Sequence, residues 1–225
     1  MKTINLKHFP KVIVLLVGLA FLTFDNRIAS ATEILKDTAS PDGIVCIALV
    51  SSVDREAYKF LNTKTHKTLG DVFTPDWEER SNIIINAKWN KSGNKVAVLA
   101  SYGTKLSAMF LFGRLPNGKF KKIIFDYPDP LDVYKTLKGK PFSLADSGGC
   151  DVNQLGKWID EDSINMISGI SFDSYDNKGD SDLLVSFKAT VHGANAVLSN
   201  IKLLGPFSDK KYDRVIKKWK MKNGS

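Results

Sequence analysis

Residues 83–125 read IIINAKWNKSGNKVAVLASYGTKLSAMFLFGRLPNGKFKKIIF, and this stretch decides the fold. Runs rich in Val, Ile, Phe and Leu over 83–89, 96–102, 107–113 and 119–125 alternate with Asn90-Lys91-Ser92-Gly93-Asn94 and Leu115-Pro116-Asn117-Gly118. β-Branched and aromatic residues suit a pleated, half-buried surface, and Asn-Gly-type clusters supply the backbone angles of tight turns. Four such runs in sequence predict an antiparallel meander. Working outward, 44–50 and 57–62 read as an earlier strand pair, and 163–172, 183–191 and 196–204 as later strands. The fold class expected is therefore all-β: a meander of short antiparallel strands, propeller-like or an incomplete propeller, with a β-sandwich as the alternative.

Helical signals are confined to two places. Over 129–138 a plausible capping residue, Asp129, is followed by a spaced apolar pattern. Over 209–222, Tyr212, Val215, Ile216 and Trp219 recur at helical intervals with lysines between them, which predicts a short C-terminal helix. The segment Asp126-Tyr127-Pro128-Asp129-Pro130 cannot be a central strand, because proline lacks the ladder donor and restrains its predecessor. The loops from 126 to 149 and from 173 to 182 are the expected contact regions, since binding residues concentrate on irregular loops over a rigid scaffold.

The segment Trp89-Asn90-Lys91-Ser92-Gly93-Asn94-Lys95-Val96-Ala97-Val98 resembles the W-S-P-D-G-K-x-I-A-F signature of TolB-type β-propeller blades. Ser40-Pro41-Asp42-Gly43 is similar to a second copy, and a third begins at Trp158 with Ile159-Asp160-Glu161-Asp162. The resemblance implies that the turns at Gly43 and Gly93 join two strands of a blade and that Trp89 and Trp158 pack between blades. It implies no catalysis. Closed propellers have about 4–8 blades, so three copies correspond to an incomplete propeller or to a sandwich with similar hairpins.

At the N-terminus, Lys2, Lys7 and Lys11 precede an apolar run of 13 residues, Val12 to Phe24, followed by Ala29-Ser30-Ala31. The run is shorter than the roughly 20 residues that span a bilayer. A basic head, a short apolar core and an A-x-A triplet predict a secretory signal over 1–31, cleaved after Ala31, and a periplasmic or secreted protein. The remaining chain is expected to form one β-rich domain over 32–208 and a basic helical tail over 209–225. Cys46 and Cys150 are the only cysteines, and in an oxidising compartment they are expected to pair as a disulfide.

The net charge of +8 is unevenly placed: residues 210–222 hold seven basic residues and one acidic, whereas 32–209 hold 21 basic and 22 acidic. A near-neutral body argues against nucleic-acid binding, which needs basic residues spread over a folded face. The tail residues Lys217, Lys218, Trp219, Lys220 and Lys222 are candidates for contact with an anionic surface.

Signatures of chemistry are weak throughout. The acidic stretch 173–182 puts Lys178 where a calcium loop needs an oxygen ligand. His66 and His192 stand in no metal-ligand spacing and read as surface residues. Gly169-Ile170-Ser171-Phe172-Asp173 lacks the second glycine of a nucleophile elbow. The carboxylates Glu78-Glu79 and Asp160-Glu161-Asp162 are numerous, but a glycosidase needs two placed across a cleft. No catalytic residue, cofactor or metal is therefore expected. The reading is an exported, non-catalytic binding or scaffold protein of the cell envelope, with a protein or glycan partner. The alternatives are an extracellular carboxylate-dependent hydrolase and a secreted inhibitor or effector of a partner protein.

Overall fold

A computed structural model of the chain describes residues 31–52, 55–75, 83–103, 106–143, 149–172, 182–207 and 209–223. Thirteen strands and two helices appear among them. The first sheet is the meander β1 (Ala31–Ile34), β2 (Val45–Ser51), β3 (Glu56–Asn62) and β4 (Thr68–Phe73). The second is β5 (Ile83–Trp89), β6 (Lys95–Tyr102), β7 (Leu106–Arg114) and β8 (Phe120–Ile123). After helix α1 (Pro130–Lys138), the third contains β9 (Cys150–Asp151), β10 (Gln154–Trp158), β11 (Ser163–Ser171), β12 (Asp182–His192) and β13 (Asn195–Leu203), and helix α2 (Asp209–Asn223) ends the chain. All pairings within the sheets are antiparallel between chain neighbours, apart from β9, which lies beside β11. The fold is thus all-β with a C-terminal helix, a propeller-like row of meander sheets.

The row is held together by strands apolar on both faces, as interior strands must be. In β6, Val96 and Val98 point toward the first sheet and join Val45, Ile47, Tyr58, Phe60 and Val72, with Phe112 and Phe120 alongside. The intervening Ala97 points the other way, joining Met109, Leu111 and Ile123 against Ile164, Met166, Phe187 and Ala189 of the third sheet. The period-two alternation of side chains makes this division unavoidable once both faces are covered. Beyond the third sheet, α2 lays Val215, Ile216 and Trp219 over Ile167 and Leu184.

Successive sheets are also stitched at one end, where the β1–β2, β5–β6 and β10–β11 turns adjoin. Trp89 Nε1 donates to Thr38 O at 3.0 Å, and Trp158 Nε1 donates to Lys88 O at 2.7 Å. Each acceptor lies two residues before the first residue of its turn, Ser40 or Asn90, so the two bonds repeat one device. Gly43 and Gly93 adopt φ of 68° and 70°, a region that costs a residue with a Cβ about 1–2 kcal/mol. Their N–H groups close the turns onto Ser40 O and Asn90 O at 2.8 and 3.1 Å.

Two expectations need correction. The disulfide is not formed: Cys46 lies on the face of β2 turned away from the second sheet, its Sγ 3.9 Å from Leu61 O, whereas Cys150 is in β9 of the third sheet. A bridge requires Cα atoms within about 7 Å, and the second sheet stands between these two. Burial pushes the Cys46 thiol above its ordinary pKa, so it behaves as a small core hydrophobe. The strand expected over 119–125 ends at Ile123, because Ile124 leaves β7 and pairs across to the third sheet.

Candidate functional site

The turn-bearing end of the row carries a groove of about 800 Å³ between the second and third sheets, a size typical of ligand sites. One wall is the β7–β8 hairpin, whose tip is tied by Gly118 N to Leu115 O at 2.9 Å and Lys119 N to Asn117 Oδ1 at 3.0 Å. The opposite wall is the β12–β13 hairpin around Gly193 and Ala194. The walls meet where Ile124 N donates to Ala194 O at 2.8 Å and Ala196 N donates to Ile124 O at 2.9 Å. Ile123 and Val191, both buried, give the floor its apolar part.

Four cations line this groove, Lys95, Arg114, Lys121 and Lys122, against one carboxylate, Asp162. Lys95 Nζ lies 2.8 Å from Asp162 Oδ1, so those two charges offset each other. Strand alternation places Lys121 on the Ile123 face of β8, toward the third sheet, and Lys122 on the Phe120 face, toward the first. Lys122 Nζ stands 4.6 Å from the Phe110 ring centroid and the Arg114 guanidinium 5.9 Å from that of Phe120. These contacts seat the heads of Arg114 and Lys122 toward the first sheet, where, after the Ser40 hydroxyl, the Arg114 charge also helps hold the Asp42 carboxyl below its usual range. Lys121 is exposed and, among the described residues, makes neither an ion pair nor a ring contact. A concave site with uncompensated positive charge attracts anions.

The residues singled out in the sequence fall into separate places. Gly43, Trp89, Gly93 and Trp158 lie in or beside the stacked turns, next to this groove but not lining it. Asp160, Glu161 and Asp162 are engaged locally. Asp160 Oδ1 accepts from Asp162 N and Ser163 N at 2.8 and 2.7 Å, which holds its carboxyl below the usual range, and Glu161 accepts from Asn90 and Ser92. His66 sits in the β3–β4 turn and His192 is exposed at the end of β12. On α2, Lys217, Lys218 and Lys222 are exposed, Lys220 is half-buried and Trp219 faces the third sheet. Of the two loops expected to make contacts, 144–148 and 173–181 lie outside the described residues, as do Glu78 and Glu79. The groove cations were missed because Phe120-Lys121-Lys122-Ile123 reads simply as a strand edge. Lys121 becomes a groove residue only because the third sheet stands opposite it.

The opposite end of the row holds a polar cluster. Asn153 Nδ2 donates to Ser107 O at 3.0 Å, Ser107 N approaches Asp151 Oδ2 at 3.4 Å, and Asp129 lies close enough to act on the same carboxylate. Burial, with a smaller push from Asp129, raises the Asp151 carboxyl above 3.8. Burial and the Asp151 charge likewise raise the Tyr127 hydroxyl. A raised carboxyl favours the protonated native state, so its stabilising effect is complete below the ordinary pKa and disappears as pH climbs through the raised one. Asp151→Asn is therefore expected to raise the melting temperature at neutral pH and to give no gain well below the ordinary carboxylate value. Thermal melts over pH check this, and a variant destabilised at neutral pH would show instead that a partner stabilises the ionised form.

Comparison of the chain with protein-family models, with curated proteins and with solved structures gives no match, so the groove has to be read from its own geometry.

Proposed function

We propose that the protein is an exported, non-catalytic binding protein of the cell envelope, built from three TolB-type blades, that takes an acidic segment of a partner in the groove between the β7–β8 and β12–β13 hairpins. The observation that carries this reading is Lys121, exposed on the groove side of β8 and without an ion pair or ring contact among the described residues, while Lys95 is paired with Asp162 and Lys122 and Arg114 stand at the rim. The walls are short hairpins fixed by backbone bonds to each other, so the charges are presented at little ordering cost on binding. Glycines at 113, 118 and 193 keep the walls low, and an extended segment can approach the backbone closely there.

The test uses a short glutamate-rich peptide titrated calorimetrically at low salt. Replacing Lys121 by Gln is expected to weaken binding about 10-fold, the equivalent of one charge-assisted bond. Raising the salt should erase the difference, because exposed pairs are screened within about 8–10 Å at physiological ionic strength. Binding unchanged in Lys121→Glu would refute the groove as the site.

A further inference from the structure

From the way α2 is seated, we infer that its outward face is a docking surface for anionic lipid headgroups, with Met221 as the apolar tip that enters the headgroup layer. The helix is fixed in rotation by its inner face. Tyr212, Val215, Ile216 and Trp219 pack on the third sheet, and the Trp219 indole lies so close to Gly156 that a Cβ there would come within 2.9 Å of it. Asn165 Nδ2 donates to Asn223 Oδ1 at 2.8 Å, and Asn223 Nδ2 donates to Trp219 O at 2.9 Å, pinning the last turn. Burial carries the Tyr212 hydroxyl up to about 12, as expected of a side chain enclosed by this docking.

With the inner face so defined, the 3.6-residue period brings Arg214, Lys217, Lys218 and Met221 to the opposite side. Met221 is 72% exposed. Residues three, four and seven before it surround it on the helix surface, and these are Lys218, Lys217 and Arg214. Lys211 and Lys222 flank the group, and Asp213 is the only acidic residue between 210 and 222. Trp219 is thus removed from the contact that its sequence position suggested, and a methionine takes its place. A soluble acidic chain would use the cations but would gain nothing from an apolar side chain at their centre. A lipid surface uses both, through headgroup charge and the acyl boundary beneath it. No helix among the described residues is long and apolar enough to cross a membrane, so α2 would lie along the surface, covering about 22 Å of it.

The experiment measures cosedimentation of the full chain with vesicles of phosphatidylcholine alone and of equal parts phosphatidylcholine and phosphatidylglycerol. The apolar run 12–24, where retained, adds the same contribution to every variant, so the readout is the change from the parent protein. Lys217→Gln with Lys218→Gln is expected to reduce partition onto the anionic vesicles about 25-fold, from about fivefold per cation near the surface. Met221→Ser is expected to weaken partition onto anionic vesicles in high salt, where charge is screened and the apolar contact remains. Lys121→Gln, in the groove, should leave both measurements unchanged. A parent with no preference for anionic vesicles, or a double variant that partitions as the parent does, overturns the inference. So does a double variant that keeps its vesicle binding and loses affinity for the glutamate-rich peptide, which would assign the face to an acidic protein. Unchanged circular dichroism melts of these surface variants would show that the loss is not unfolding.

Discussion

Phe60→Ala is expected to destabilise the protein by about 3–5 kcal/mol. Phe60 is fully buried between the first and second sheets. Its ring lies 4.6 Å from that of Phe120, stacked, and 5.1 Å from that of Phe112, edge-on, with Trp89 at 6.1 Å. Removing the ring leaves a void bounded by rigid aromatics on adjacent strands, which cannot collapse into it as flexible aliphatic side chains could. Domains of this kind have about 5–15 kcal/mol of total stability, so the variant should sit near the edge of folding. Urea denaturation distinguishes two outcomes. A lower midpoint with the same slope means the three sheets unfold together. A shallower slope means the first sheet separates on its own, since the slope follows the surface exposed. A loss below about 1 kcal/mol would contradict the packing of the first sheet on the second.

The same aromatic cluster explains how much of the fold was legible. Every strand expected from a β-rich run is present, because runs such as Ile44-Val45-Cys46-Ile47-Ala48 and Val96-Ala97-Val98-Leu99-Ala100 are apolar on both faces and admit no exposed placement. The helices at 130–138 and 209–223 announced themselves by caps and periodicity: Asp129 Oδ1 accepts from Leu131 N at 2.7 Å, as the sequence suggested. Strands β4 and β10 gave no such signal. Thr68-Leu69-Gly70-Asp71-Val72-Phe73 and Gln154-Leu155-Gly156-Lys157-Trp158 each carry an interior glycine and polar residues, which weaken strand propensity. The glycines are there for neighbours: a Cβ on Gly70 would meet Phe120 O at 2.6 Å, and one on Gly156 would meet the Trp219 indole. Such requirements come from packing between sheets, which local sequence does not display.

The groove was illegible for the same reason. Lys121 lies in a short strand with Lys122 beside it, but the wall that makes it a site residue, Val191 to Ala194, is about seventy residues further along the chain. The absent disulfide is the converse case. Two cysteines and an expected export signal suggested a contact that topology rules out, since the sheets follow one another in a row and Cys46 faces away from its neighbour.

Asn90→Ala is expected to cost about 3 kcal/mol, more than any surface substitution in this chain should. Asn90 is fully buried. Its Oδ1 accepts from Lys95 N at 3.0 Å, while its Nδ2 donates to Glu161 O at 3.0 Å and Glu161 Oε2 at 2.8 Å. The side chain thereby closes its own turn and ties the second sheet to the third. Ser40, in the equivalent place on the first turn, accepts from Val45 N at 3.0 Å through its hydroxyl. Alanine would remove all three bonds at once, one of them to the Glu161 carboxylate, and bonds to charged groups are the costlier ones to lose. Asn90→Asp separates the two functions. It keeps the acceptor for Lys95 N but replaces the donor with a second carboxylate facing Glu161, so at neutral pH it should be at least as damaging as alanine. Burial and the Glu161 charge would raise the pKa of the introduced carboxyl above its unfolded value. Protonation restores a donor, so the deficit relative to the alanine variant should shrink as pH falls through that raised pKa. Chemical denaturation of the two variants across the acidic range gives the answer. Parallel stability profiles for the alanine and aspartate variants would mean that the bond to Glu161 does not join the sheets.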